Sequence, residues 1–221
     1  MTNQYKDKPY NDYGQWIRQR FPFRVQKISV DAGFSCPNRD DTISHGGCIF
    51  CDNRTFNPSY CQPSKSIAQQ MEEGKAFFRR KYPDMKYLAY FQAYSNTYAP
   101  LDVLKRRYEE ALAVEDVVGL VIGTRPDCIS TELLDYLEEL NRRTFLIVEY
   151  GIESVNDDTL RHINRGHDFE CSRRAIELTH DRGILTGGHI ILGLPGEDRE
   201  ENIRQASIVS DLKLDILKIH Q

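Results

Sequence analysis

Residues 117–123 read Val-Val-Gly-Leu-Val-Ile-Gly, without one polar side chain. Seven residues are too few for an ordinary buried helix, and the β-branched Val117, Val118, Val121 and Ile122 favour an extended chain. A strand with no alternation is apolar on both sides, so both faces of its sheet must be covered. Sheets covered on both faces are built from parallel strands joined by helices.

The flanking sequence repeats that unit in both directions. Upstream, Leu101, Leu104, Tyr108, Ala111 and Leu112 recur at helical spacing behind Pro100, which suits a first turn. Before them lies an aromatic strand at 87–94, then a helix capped by Ser64 or Ser66 and running to about Lys81. Before that, Val25, Ile28 and Val30 mark a first strand. Downstream, Leu133, Leu134, Leu137 and Leu140 form one helical side and are followed by a strand at 144–154. A helix start at Asn156-Asp157-Asp158, a second helix capped by Asp168 and ending near Gly183, and a strand at 184–194 come next. A helix from Arg199 to Ser210 and a strand in Asp215–Gln221 complete the series.

Six strand–helix repeats of about 30 residues predict right-handed βαβ units. A closed eight-stranded barrel needs about 250 residues, whereas this chain has 221. The expectation is therefore an α/β fold: a partial (β/α)6 open TIM-like barrel, its parallel sheet lined outside by helices. It forms one domain over 1–221, with a lead-in helix inside 1–23 that Pro22 ends. The chain stops on a strand whose next helix is missing, so a C-terminal part of a longer parent protein is expected to be absent.

Composition narrows the class of protein. Hydrophobic residues at 40% and charged residues at 28% describe an ordinary globular chain, and a net charge of −4 gives no overall attraction to nucleic acid or an anionic membrane. The start lacks the apolar core of a signal peptide, and no run approaches the roughly 18 apolar residues of a membrane span. A cytoplasmic location is expected, where cysteines serve metals or redox chemistry rather than structural disulfides.

Three of the six cysteines crowd one loop. Asp31–Cys51 reads DAGFSCPNRDDTISHGGCIFC and places Cys36, Cys48 and Cys51 within 16 residues, where chance would put about 0.4. Thiolates at that density indicate a metal centre, and Gly46-Gly47 lets the backbone approach a bulky inorganic core. Parallel α/β folds carry their sites at the carboxyl ends of the strands. The loop follows the first strand, Ser95-Asn96-Thr97 the second, Thr124–Asp127 the third and Glu153-Ser154 the fourth. Two metals remain open: an iron–sulfur cluster held by three thiolates with one iron free, or a structural zinc completed by Cys61 or His45. The second would make the protein a non-catalytic zinc-binding module that recognises nucleic acid or protein.

Three motifs in register add a resemblance. The spacing C-x(11)-C-x(2)-C, with Phe50 before the last Cys, resembles the expanded cluster motif of the radical S-adenosylmethionine (radical SAM) superfamily. YGIESVNDDTLRHINRGH and HIILGLPGE are similar to its branch containing the elongator catalytic subunit and oxygen-independent coproporphyrinogen oxidase. KISVDAGFSCPNRD and GCIFC resemble the bacterial YhcC/YtqA-type proteins.

The resemblance implies that Cys36, Cys48 and Cys51 ligate a 4Fe-4S cluster and that S-adenosyl-L-methionine chelates the fourth iron. An electron from a flavodoxin or ferredoxin-type donor would then release a 5′-deoxyadenosyl radical that abstracts a substrate hydrogen. It implies cofactor contacts for Phe50, beside the adenine; for Ser95, Asn96 and Thr97, where the family has a triple glycine that receives the methionine amino group; and for Glu153, on the ribose. It further implies Arg165 on the methionine carboxylate, His189 facing the cofactor and Leu192 bordering the adenine. The substrate it implies is transfer RNA, whose wobble-uridine carboxymethylaminomethyl side chain is trimmed to aminomethyl.

Plainer readings stand beside these. Arg165 suits a helix end, His189 a hydrogen-bonded core position, Phe50 the core itself, and Cys61, Cys128 and Cys171 lack partners at ligand spacing. The clusters Arg79-Arg80-Lys81, Lys105-Arg106-Arg107, Arg142-Arg143 and Arg173-Arg174 suit phosphate contacts, or solvated helix faces.

Overall fold

The architecture, a computed structural model, describes residues 10–52, 57–79 and 84–221. Its elements in order are α1 (Tyr13–Arg20), β1 (Val25–Val30), α2 (Ile67–Arg79), β2 (Lys86–Phe91), α3 (Leu101–Leu112), β3 (Val117–Thr124), α4 (Thr131–Asn141), β4 (Phe145–Glu153), α5 (Asp157–His162), α6 (Phe169–His180), β5 (Leu185–Ile191), α7 (Arg199–Ser210) and β6 (Ile216–His220). The strands lie in sequence order, every neighbouring pair is parallel, and together they curl into a half-barrel. The expected open barrel is the fold observed.

Several boundaries move from their predicted places. β2 stops at Phe91, because Gln92 onward turns away and Tyr94 takes a left-handed φ of 61°. β5 stops at Ile191, three residues early, and Gly193 and Gly196 turn the chain with positive φ. Pro100 is the N-cap of α3 rather than part of its first turn. Ser66, not Ser64, caps α2: its Oγ accepts from the Gln69 amide at 3.1 Å. The predicted end of α2 at Lys81 lies outside the described residues. Asp12, Ser130, Asp168 and Asp198 cap α1, α4, α6 and α7 in the same way, each worth about 1 kcal/mol.

The sheet has two differently made faces. Outward, Ile28, Val30, Tyr87, Ala89, Phe91, Leu120, Ile122, Val148, Tyr150 and Ile152 join Leu104, Tyr108, Leu134, Leu137 and Ile176 from the helices in one apolar cluster. Burying each large aliphatic contributes about 1.5–3 kcal/mol, so the helices are held on by area alone. Inward, apolar side chains gather around α1. There Leu88, Tyr90, Val121 and Ile147 meet Trp16 and Ile17 of α1, with Tyr13, Phe21 and Phe145 packed against them, so the lead-in helix plugs the barrel bottom. Above them the inner face turns polar: Glu149, His189 and Lys218 replace hydrocarbon, and Lys27, level with Leu88, reaches Glu149 at 2.6 Å.

Register makes room for those side chains. Glu149 is paired to Gly123 on one side and Gly187 on the other, and a Cβ at Gly187 would stand 2.8 Å from Glu149 Cγ. A carboxylate fits inside the half-barrel because its neighbours lack side chains.

Candidate active site

The Cys loop is fastened at both ends before any ligand is considered. Where β1 runs out, buried Gln70 of α2 holds Asp31 by both backbone groups, accepting from its amide and donating to its carbonyl at 2.8 Å each. Further on, the turn after α5 grips the loop. Asn164 donates to the Gly47 carbonyl at 2.9 Å and accepts from Ser44 Oγ at 3.1 Å, the Ile49 amide bonds the Ile163 carbonyl at 3.1 Å, and Asn38 donates to the Asn164 carbonyl. Asn164 adopts φ 54°, a conformation asparagine tolerates better than most residues.

This grip brings the three cysteines to one rim. Cys36, Cys48 and Cys51 line a cavity of about 540 Å³ at the carboxyl ends of the strands, together with Phe50, Glu153, Arg165 and His189. The Cys51 amide bonds the Cys48 carbonyl at 3.0 Å, which holds that pair in one turn. Cations surround the sulfur atoms: Arg165 reaches Cys48 Sγ at 3.6 Å, Arg39 donates to the Cys51 carbonyl at 2.8 Å, and Arg125 lines the same wall. Burial pushes the Cys36 thiol up, while the Asn38 amide and Arg125 pull it back down.

The remaining cysteines are unlike these. Burial raises Cys61 and Cys128 to about 12 and Cys171 to about 11, the state of inert core thiols. Cys61 lies in the outer apolar cluster and His45 pairs with Asp41 at 2.7 Å on the surface, so neither completes a zinc site. Among the described residues no three His, Cys, Asp or Glu side chains gather closely enough for a single metal ion. A four-iron cluster is a different guest, because its own width separates the thiolates it binds.

Whether such a group suits the wall can be tested on its unused donors. Arg165 Nε and Arg125 NH1 are buried and lack an acceptor. Burial would favour loss of the Arg125 proton, but the bidentate pair with Asp127, at 2.6 and 2.8 Å, keeps it charged. Guanidinium hydrogens without acceptors beside three thiols suit an anionic, thiolate-ligated group and a carboxylate next to it. The donor set fits.

Glu153 and Arg165 meet at a point of close backbone approach. Arg165 NH2 donates to the Gly151 carbonyl at 2.5 Å and stands 3.7 Å from Glu153 Oε1. A Cβ at Gly151 would come within 2.3 Å of Glu153 Oε1 and 2.7 Å of Arg165 NH2. The pairing register slips between Gly151 and Glu153, and Glu153 sits at φ 68°. Bulges and left-handed backbone recur beside active sites because they re-aim one side chain. Burial pushes the Glu153 carboxyl up, against the pull of Arg165 and His189.

Ser95, Asn96, Thr97 and Leu192 do not line the cavity. Ser95 Oγ bonds Thr124 Oγ1 at 3.0 Å, Thr97 Oγ1 bonds the same atom at 2.6 Å, and Asn96 donates to the Gly123 carbonyl at 2.8 Å. These three tie the second strand-end loop to the third. Leu192 packs against the outer apolar cluster.

Two wall residues were not singled out from the sequence, and a third only as part of a strand-end stretch. Glu149 is 2% exposed and bonded to Lys27 Nζ at 2.6 Å and His189 Nε2 at 2.9 Å. Burial alone would raise its pKa; the His189 hydrogen bond and Lys27 overcome this and hold it well below the usual carboxylate range. Arg125 stood in the Thr124–Asp127 stretch at a strand end, which was its signal. Lys218 had none, lying in a short edge strand.

The arginine clusters on the helices are largely self-neutralised. Arg106 pairs with Asp102, Arg142 with Glu138, Arg143 with Glu109, and Arg173 with Glu170 and Glu177. Such pairs mark solvated helix faces. Arg80 and Lys81 lie outside the described residues.

A half-barrel of parallel strands with three loop cysteines at its mouth defines a class, and the family comparison agrees. Residues 42–205 match the Radical SAM superfamily, and the chain belongs to it. It is 42% identical to the uncharacterized protein YtqA of Bacillus subtilis (strain 168) over 97% of this chain and 66% of that protein. It is 39% identical to protein YhcC of Escherichia coli (strain K12) over 96% of this chain and 68% of that one. The chain thus spans about two thirds of the length of these relatives. A tRNA uridine(34) acetyltransferase of Methanocaldococcus jannaschii is 29% identical over 47% of this chain and 19% of that protein. Among solved structures, archaeal Methanocaldococcus infernus Elp3 with an N-terminal deletion superposes with a TM-score of 0.64 at 18% identity, covering 89% of this chain and 45% of that one. At that identity the match speaks for the fold. No helix among the described residues is long and apolar enough to cross a membrane.

Proposed function

We propose that this protein is a radical S-adenosylmethionine enzyme that modifies the wobble uridine of transfer RNA, trimming a carboxymethylaminomethyl side chain to aminomethyl. The observation that carries the enzyme reading is the trio Cys36, Cys48 and Cys51 on one clamped loop, at the mouth of the barrel and among three guanidiniums. The transfer RNA part rests on likeness to the tRNA uridine(34) acetyltransferase over about half the chain.

In this reading Cys36, Cys48 and Cys51 hold the 4Fe-4S cluster. When bound and reduced by a flavodoxin or ferredoxin-type donor, the cluster and S-adenosylmethionine supply a 5′-deoxyadenosyl radical able to take a substrate hydrogen. The chain's own residues then orient and exclude. Arg165, with Nε lacking an acceptor, offers its fork to the methionine carboxylate. Glu153 is aimed inward by the bulge and accepts from ribose hydroxyls. Phe50 at the rim offers a face to adenine, and His189, held by Glu149, presents its other ring edge to the cavity. Ser95, Asn96 and Thr97 act behind the wall, fixing the loop that would receive the methionine amino group.

The test is anaerobic reconstitution with iron and sulfide, followed by incubation with S-adenosylmethionine, a reductant and bulk transfer RNA. Expected products are 5′-deoxyadenosine and, after digestion, a gain of aminomethyluridine at the expense of carboxymethylaminomethyluridine. Cofactor cleavage with an unchanged nucleoside profile would overturn the substrate assignment. A colourless protein with one zinc would overturn the enzyme reading.

A further inference from the structure

Inside the barrel the buried charges of the described residues are paired, with one exception. Lys27 is matched by Glu149 at 2.6 Å, Arg125 by Asp127 at 2.6 Å, and Arg165 lies 3.7 Å from Glu153. Lys218 of β6 is the exception: half-buried, it lines the cavity with neither hydrogen bond nor ion pair among the described residues. The surrounding register fixes its depth, since Lys218 is paired to His189, which in turn is paired to Gly151, one layer above Glu149. Its Nζ stands 5.8 Å from the Tyr90 ring centroid, and the buried Tyr90 hydroxyl, beside Glu149, makes no hydrogen bond of normal geometry.

We infer that Lys218 and the Tyr90 hydroxyl form a subsite for a carboxylate group of the substrate, on the β6 side of the cavity. Charge decides for a carboxylate over a phosphate. Lys27 and Glu149 offset one another at 2.6 Å and Arg165 faces Glu153 at 3.7 Å, so Lys218 contributes one unmatched positive charge, which a monoanion cancels. A phosphate monoester carries nearly two negative charges and would leave the Glu149 carboxylate facing an uncompensated one. A donor with an ionised partner makes the stronger hydrogen bonds, and partial burial weakens the competition from water. The inference deepens the proposed function, whose carboxymethylaminomethyl substrate carries such a group, but the subsite itself needs neither cluster nor cofactor.

Burial pulls the Lys218 ammonium below the ordinary lysine value, so its free amine should react readily in reductive methylation. The chain is methylated with formaldehyde and borohydride, and peptide mass spectrometry follows Lys218, with exposed Lys105 of α3 as internal reference. Added N-acetylglycine should slow methylation of Lys218 severalfold and saturably while Lys105 is unaffected. N-acetylglycinamide, the same molecule without its charge, should do nothing. Equal rates with and without N-acetylglycine, or equal slowing by the amide, overturn the subsite; stronger protection by methyl phosphate overturns its assignment to carboxylates. As a second measurement, Lys218→Gln should bind N-acetylglycine about tenfold more weakly by ligand-observed NMR, the loss of one charged hydrogen bond, and unchanged binding overturns the inference. Neither readout uses iron or S-adenosylmethionine. Failure here therefore leaves the reconstitution test standing, and failure there leaves this one.

Discussion

The same six strands present one face to the helices and the other to the barrel interior, and the two faces are held by different physics. On the outer face Leu120, Ile122, Phe91 and Val148 are fully buried against helices, and any shape-complementary hydrocarbon would serve. On the inner face Lys27, Glu149 and His189 form a bonded chain between glycines, so position and charge matter more than volume. The outer face supplies stability and the inner face spends part of it on a site.

Four substitutions bear on that contrast. The largest effect falls at the rim: Cys48→Ala should lose bound iron and S-adenosylmethionine cleavage altogether, measured by iron and sulfide content and by 5′-deoxyadenosine release. Cleavage by that variant would break the assignment of the rim. Next comes the outer face, where Leu120→Ala should cost about 4 kcal/mol in denaturant unfolding, from lost burial and the cavity left behind. That loss should be the same at pH 4 and pH 7.

Glu149→Gln should cost about 3 kcal/mol, toward the low end for breaking a buried ion pair because Lys27 is 23% exposed. Unlike the outer-face change, this one should depend on pH. The folded pKa of Glu149 lies below its unfolded value of about 4.3, so its contribution is complete above that value and fades as pH falls through the folded one. The variant and the parent should converge in stability under acid. A constant difference across pH would mean that the loss is one of packing and that the two faces are alike. Smallest of all, Arg106→Ala on the exposed side of α3 should shift stability by no more than about 0.5 kcal/mol, since its pair with Asp102 is solvated.

Much of this was legible beforehand because the outer face follows periodicity. Val117–Gly123 announced a doubly covered strand, and Leu133, Leu134, Leu137 and Leu140 announced the helical side that meets it. The cysteine loop was legible by density, since three thiols in 16 residues have few other uses. Element ends were less so: β2 and β5 finish early because Tyr94 and Gly193 turn the chain with positive φ, which a tyrosine does not signal and a glycine permits without requiring. Glu149 passed unnoticed as one polar residue inside an apolar strand. Only the register that sets it between Gly123 and Gly187 shows why it is tolerated there. Ser95, Asn96 and Thr97 stood at a strand end like the others, yet their side chains are consumed in bonding the next loop.

Sequence alone determined the parallel α/β class, the number of strands and the loop that carries the thiols, because burial patterns and cysteine spacing are local properties that survive in one dimension. The tertiary structure decided which residues share the cavity wall. Cys48 and Arg165 are 117 positions apart and Lys27 and Glu149 are 122 apart, and only the curl of the sheet brings them into contact. A charge buried in a barrel is tolerable only beside its partner, and that partner is chosen by register across strands rather than by order along the chain.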